Sequence, residues 1–337
     1  MIYVHVPFCK SFCIYCDFYS ETACRDSKFE AYTQCICEEA LKRRDEIMDT
    51  LSTNTLYIGG GTPSVMPLPF FEKLLSALPV KDFEEFTVEV NPDDILHRGV
   101  EFLTALRSLG VNRISMGVQS FNNGMLHWMR RRHNASDAVE AFNLLRDCGF
   151  DNISLDIIFG INGMSMEILE HSLNELLTLA PEHISAYQLM IEEGSELESM
   201  VEKGKYVPLS DELCEAQYYH ICKRLHDAGY RHYEISNWAK PGYEAKHNSA
   251  YWSRQPYIGL GPGAHSLRIG TSEIRSWNSQ ALSGWTTESE VLSPEEIREE
   301  RIMLGLRRAE GLDIDGRHTQ IPESKWFIAD SIIEELI

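Results

Sequence analysis

The sequence runs to 337 residues, enough for one large domain or two ordinary ones. It is 43% hydrophobic and 24% charged, and its 51 acidic against 31 basic residues give a formal net charge of −20, a field that repels phosphate backbones and speaks against a nucleic-acid partner. No apolar run approaches a membrane span, no basic segment followed by an apolar run opens the chain, and no low-complexity tract interrupts it, so a soluble cytoplasmic protein is expected.

Six β-rich runs come in order: IYVHV (2–6), NTLYIGG (54–60), EFTVEVN (85–91), RISMGVQS (113–120), NISLDIIFG (152–160) and HISAYQLM (183–190). Helical patterns separate them: FEAYTQCICEEALKRRDEI (29–47), PFFEKLLSAL (69–78), VEFLTALRSLG (100–110), SDAVEAFNLLRDCG (136–149) and MEILEHSLNELLTL (166–179). Several carry apolar residues three and four apart, and two run into Gly110 or Gly149 as helix ends often do. Such alternation predicts parallel strands joined by right-handed crossovers. Six units predict an open or partial β/α barrel, although a doubly wound sheet would have the same periodicity. Beyond residue 190 the rhythm changes to a helix (213–229), a strand-like HYEIS (232–236), an irregular aromatic stretch to residue 266, and two helical patterns (294–308 and 323–337). The expected division is a core domain (1–205), an α/β extension (206–290) and a partial C-terminal helical domain (291–337).

Nine cysteines is an odd number and does not read as a secreted disulfide framework. Cys24, Cys35, Cys37, Cys148, Cys214 and Cys222 are scattered and read as ordinary small side chains. Cys9, Cys13 and Cys16 are different, because they follow the first strand with Cys-x3-Cys-x2-Cys spacing. That spacing fits neither a paired-CxxC zinc site nor a four-cysteine ferredoxin run. A loop this short can hold three irons of a cubane cluster and leave the fourth for another ligand, such as the amino and carboxylate groups of S-adenosylmethionine. The second strand ends in YIGGGTPS, whose glycines let backbone N–H and C=O groups approach a ligand at the strand edge where β/α folds bind. Glu89 ends the third strand candidate, Gln119 the fourth, and Asp156 lies at or near the end of the fifth; a carboxylate at Glu89 could accept from ribose hydroxyls.

The cysteine spacing, with Tyr15 before the last cysteine, resembles the signature of the radical S-adenosylmethionine (SAM) enzymes. YVHVPFCKSFCIYCDF, YIGGGTPS, VEVNP, SMGVQSF, YEISNWAKPGYEAKHNSAYW and YIGLGPGAHS extend the resemblance over nearly the whole chain, to the branch containing oxygen-independent coproporphyrinogen III oxidase and the heme chaperone HemW. The resemblance implies a [4Fe–4S] cluster on Cys9, Cys13 and Cys16, with SAM on the open iron. It places Gly60, Gly61 and Thr62 at the SAM amino group, Arg131 at its carboxylate and Tyr3 beside it, with Glu89, Gln119 and Asp156 completing the pocket. Arg130 and Arg132 leave the register of Arg131 open by one residue. It also implies a partial (β/α)6 barrel of TIM type with a smaller C-terminal α/β extension, and a terminal winged hairpin that no residue after 337 supplies. One departure is Asn162 in FGINGMS, where relatives carry proline, which leads to the expectation of a less rigid loop.

Within that branch the oxidases carry a further cysteine where this chain has Phe18, and an extension before the first strand, where this chain starts. Both points disfavour coproporphyrinogen oxidase activity, although reductive cleavage of SAM stays open. HNSAYW, from His247 to Trp252, matches the His-Asn-x-x-Tyr-Trp motif of the chaperones, and a neutral imidazole can ligate heme iron. His247 is the candidate ligand, with His265 and His5 behind it. The implied role is heme binding and delivery to heme-accepting proteins, with an electron donor for the cluster and membrane association only through recipients. The alternatives are an oxidase-like radical enzyme, a radical enzyme on another small molecule, or a module holding structural zinc.

Overall fold

The computed structural model describes residues 1–22 and 24–337. The chain opens as β1 (Ile2–Val6), α1 (Asp26–Lys42), α2 (Arg44–Thr50), β2 (Thr55–Gly60), α3 (Leu68–Ala77), β3 (Glu85–Val90), α4 (Pro92–Ser108), β4 (Arg113–Gln119), α5 (Asn123–Trp128), α6 (Ala135–Asp147), β5 (Ile153–Phe159), α7 (Met166–Leu179) and β6 (His183–Gln188). It continues as α8 (Glu196–Glu202), α9 (Asp211–Asp227), β7 (Arg231–Glu234), β8 (Asn237–Ala239), α10 (Lys246–Trp252), β9 (Ile258–Leu260), β10 (His265–Ile269), β11 (Glu273–Asn278), β12 (Thr287–Val291) and α11 (Pro294–Gly305). A hairpin of β13 (Leu312–Ile314) and β14 (Arg317–Thr319), a 3-10 turn (Glu323–Ile328) and α12 (Ala329–Glu334) complete it.

Strands β1 to β6 pair in parallel in sequence order. β9 joins in parallel outside β1, and β8 and β7 join antiparallel outside β6, giving the order β7-β8-β6-β5-β4-β3-β2-β1-β9. β7 and β9, at the two ends, do not pair, and the unbroken sequential order of β1 to β6, where a doubly wound sheet would reverse, is that of the partial (β/α)6 barrel which the resemblance implies. Strand residues point alternately to the two faces, and here the faces differ sharply. Val4, Ile58, Val88, Met116, Leu155 and Ile184 are fully buried in the apolar core on one face. The other face is polar: Tyr57 donates to Glu89 (2.7 Å) and Ser115 to Asp156 (3.1 Å), so these side chains share the inside of the barrel. Barrels are more often filled with branched aliphatics.

Several local features depart from the sequence pattern. The helix expected over 29–47 breaks at Arg43 (φ −95°, ψ 15°), whose guanidinium reaches across to the Gly259 carbonyl (2.8 Å). The aromatic stretch after β7 contains β8, α10, β9 and the start of a three-stranded antiparallel sheet, β10-β11-β12. The pattern at 323–337 divides into a 3-10 turn and α12. Asn162 is tied to the segment before α9: its N–H donates to the Tyr206 hydroxyl (2.9 Å) and its side-chain amide to the Val207 carbonyl (2.8 Å). Among the described residues, no helix is long and apolar enough to cross a membrane.

Candidate functional site

The loop after β1 carries Cys9, Cys13 and Cys16, all free and half-buried. Two backbone bonds fasten it to the glycine turn after β2: Gly61 N–H to Val6 C=O (2.8 Å) and Thr62 N–H to Phe8 C=O (2.7 Å). The contact is so close that a Cβ on Gly61 would stand 2.5 Å from the Phe8 carbonyl oxygen. Gly60 adopts φ 107°, a conformation that side chains rarely take, and a Cβ there would strike the His5 ring. The two loops are therefore one unit.

A chain of polar contacts leads outward from this unit. Cys9 Sγ lies 3.1 Å from Thr62 Oγ1, which accepts from Asn91 Nδ2 (3.1 Å). Asn91 Oδ1 in turn accepts from Arg131 Nη2 (2.5 Å), which also donates to the Gly117 carbonyl (2.6 Å), while Nη1 faces Cys13 Sγ (3.5 Å). Of the three neighbouring arginines, Arg131 alone reaches the cysteine loop: Arg130 pairs with Glu196 at the surface, and Arg132 with Asp93 and Asp94. Arg130 turns left-handed (φ 60°), which separates the directions of the side chains on either side of it. Burial opposes charge on Arg131, but the influence of its neighbours Tyr15, Cys13 and Cys9 outweighs that and raises its pKa, so the guanidinium stays protonated. Asn91 was not singled out by the sequence, although it stands in the VEVNP motif and before Pro92 at the start of α4.

Gln119 ends β4 with φ 66°, beside a register shift against β5. A non-glycine residue held in this region marks stored strain, which aims its side chain back over Gly117. Glu89 faces into the barrel, where its carboxylate accepts from Gly60 N–H (3.1 Å) as well as from Tyr57. Burial pushes its pKa up to about 7 in spite of both donors. Asp156 is likewise raised by burial, against donation from the Ser185, Ser115 and Ser154 hydroxyls. Tyr3, on β1, has its ring 6.2 Å from that of Tyr57 on β2 and its hydroxyl 3.1 Å from His5 Nδ1.

His247 is not brought to this site. It lies on α10 against the first residue of β2, with Nδ1 2.8 Å from Thr55 Oγ1 and its ring near Tyr57 (5.2 Å) and Tyr251 (5.0 Å). It is 1% exposed, and its Nε2 has no partner among the described residues. Burial drives its pKa down to about 3, so the ring is neutral. Both ring nitrogens of His5 are engaged, by Tyr3 and by the Tyr19 carbonyl (2.8 Å). His265 is exposed and stacks near Trp277 (6.2 Å).

Half-buried thiols on a short loop, fastened to a glycine turn at the open end of a partial barrel, define a class of protein, and comparison with known proteins agrees. Residues 3–176 match the model of the Radical SAM superfamily. The chain is 36% identical to the heme chaperone HemW of Bacillus subtilis (strain 168), over 92% of its own length and 84% of that protein's. It is 34% identical to the heme chaperone HemW of Lactococcus lactis subsp. lactis (strain IL1403), over 93% and 83%. The structure of coproporphyrinogen III oxidase (HemN) from Escherichia coli, a radical SAM enzyme, superposes with a TM-score of 0.81 over 99% of this chain and 88% of that one; at 18% identity this is a likeness of fold. The chain belongs to the radical SAM superfamily and, within it, to the HemW family.

Proposed function

We propose that this chain is a heme chaperone, binding heme and delivering it to heme-requiring proteins in the cytoplasm from a core that carries a [4Fe–4S] cluster and SAM. The observation that supports this best is the joined loop unit, with three thiols held against the Thr62–Asn91–Arg131 chain, in a protein similar over most of its length to proteins named heme chaperones.

The residues present suit both groups. Three soft thiol donors on one loop fit an iron–sulfur cluster, and Cys9, Cys13 and Cys16 would hold it. Arg131 keeps its charge, and its Nε has no partner among the described residues, which suits a carboxylate such as that of SAM. Gly60, Gly61 and Thr62 would present backbone groups to the amino end, with Tyr3, Glu89, Gln119 and Asp156 lining the barrel side. When bound, the pair supplies one-electron chemistry at the sulfonium. The protein's part is to orient the ligands and keep the interior polar groups fixed. Phe18, 62% exposed, occupies the position of the oxidases' further cysteine and argues against porphyrinogen decarboxylation.

For heme, the motif nominates His247. In this conformation its Nε2 is covered, so ligation there requires α10 to lift from β2. Anaerobic reconstitution, with iron and sulfide analysis followed by heme titration, tests the reading. Wild type is expected to take up both cluster and heme and to release no carbon dioxide from coproporphyrinogen III. His247→Ala should weaken heme binding at least tenfold; unchanged affinity would remove His247 as the ligand and leave the cluster assignment standing. Carbon dioxide release, or zinc in place of iron, would overturn the chaperone reading.

A further inference from the structure

A second group of metal-ligating atoms lies far along the chain from the three cysteines. It joins three elements: Cys222 on α9, His232 on β7 and Glu323 at the start of the C-terminal 3-10 turn. One ligand atom from each lies within 4.8 Å of the other two. Cys222 Sγ is 4.0 Å from His232 Nδ1, and Glu323 Oε1 is 2.7 Å from the same nitrogen. Sulfur, imidazole nitrogen and carboxylate oxygen together make a donor set of the zinc type.

The imidazole is held in one orientation. His232 Nε2 faces the Ile235 carbonyl (3.2 Å), which can only accept a hydrogen bond and so places the ring hydrogen on Nε2. The neutral ring then carries its lone pair on Nδ1, where it meets a carboxylate and a thiol. Two acceptors at that distance need a cation between or beside them, either a proton on Nδ1 or a metal ion. Ligating histidines commonly donate their other ring N–H to a carbonyl in this way, which fixes tautomer and direction. The ring is also clamped, stacked on Trp238 (4.0 Å, 14°) and meeting the edge of Trp326 (4.3 Å, 72°). Its side chain is 6% exposed, while Glu323 is 53% exposed and opens the position to solvent. His226 stands one turn beyond Cys222 on α9, on the same face of that helix.

We infer that Cys222, His232 and Glu323 form a second, structural site for a divalent ion of the zinc class, with a fourth position open to solvent beside His226. Binding displaces the thiol proton of Cys222 and any proton on His232 Nδ1, and both leave to water. The ion fastens the C-terminal turn, and Trp326 with it, to α9 and β7. The site shares no ligand with the cysteines that follow β1.

Cobalt(II) titration tests this, in the cluster-loaded wild type and Cys222→Ala chains and in a cluster-free chain that lacks the three loop cysteines. Titration with Co²⁺ should give one thiolate-to-cobalt charge-transfer band, absent in Cys222→Ala and retained in a chain carrying Cys9→Ala, Cys13→Ala and Cys16→Ala. Because Cys222 is buried, Glu323→Gln provides a variant at a surface position. Zinc should raise the melting temperature of wild type, with at least a tenfold loss of zinc affinity in Glu323→Gln. A cobalt band that survives Cys222→Ala, or that vanishes with Cys9, Cys13 and Cys16, would overturn the assignment. So would equal zinc affinity in wild type and Glu323→Gln.

Discussion

Adjacent residues of one type can have unrelated roles, and the arginines show how the backbone decides which does what. Arg131 joins Asn91 and the cysteine loop, whereas Arg130 makes an exposed pair with Glu196, of a kind usually worth little. Arg131→Gln is therefore expected to weaken SAM binding roughly tenfold, the scale of one charge-assisted hydrogen bond, and Arg130→Gln to leave it unchanged, as read by equilibrium dialysis of the reconstituted protein. Equal losses in the two would mean that only the overall basic charge matters. Glu234 is a buried acid away from the cysteine loop. It is 1% exposed, and burial raises its pKa from 4.5 to about 7, with Asn237 and Ser236 donating against the rise. An acid with a raised folded-state pKa adds stability that is complete below its unfolded value and is lost as pH climbs through the folded one. The stability of Glu234→Gln relative to wild type should thus rise between pH 4.5 and about 7, by about 3 kcal/mol in all. Urea melts across that range measure it, and a flat difference would refute it.

Helix α6 begins directly after the arginine cluster, and its first turn is closed by a capping box between Asn134 and Asp137. Asn134→Ala should cost about 1 kcal/mol, visible as a lower urea midpoint at unchanged slope. The elements differ in how well the sequence announces them. Strands β1 to β6 were legible because a parallel strand covered on one face by helices carries a regular run of Val, Ile, Leu and Phe. The cysteine spacing and the glycine turn were legible because both are local in sequence. β8 and β9 were not, since three residues are too few to establish a period. β12 was missed because all five of its residues are exposed and it has no apolar face to betray it. Glu89 and Asp156 were legible at their strand ends, but their partners Tyr57 and Ser115 were not, because such pairs are made only by the packing of neighbouring strands. The burial of His247 was hidden for the same reason, as its partner Thr55 lies 192 residues away in sequence.

At the scale of the whole molecule, the sheet is completed by residues far from those that begin it. β9 covers the outer edge of β1, and Ile258 and Leu260 are buried there; β8 covers β6 with the fully buried Trp238. A chain ending at residue 205 should therefore expose two open edges and part of the core, and should aggregate on expression. A soluble monomer of that length with native-like circular dichroism would show instead that the six-stranded part folds alone. The placement of β9 also sets a schedule. β2 can pair with β1 once about sixty residues have been made, but the other edge of β1 waits for Ile258–Leu260. At the pace of a translating ribosome that interval lasts about 10–40 s. Throughout it, the cysteine loop hangs from a strand secured on one side only, so the nascent chain passes through a period in which its thiols are made but the wall behind them is not.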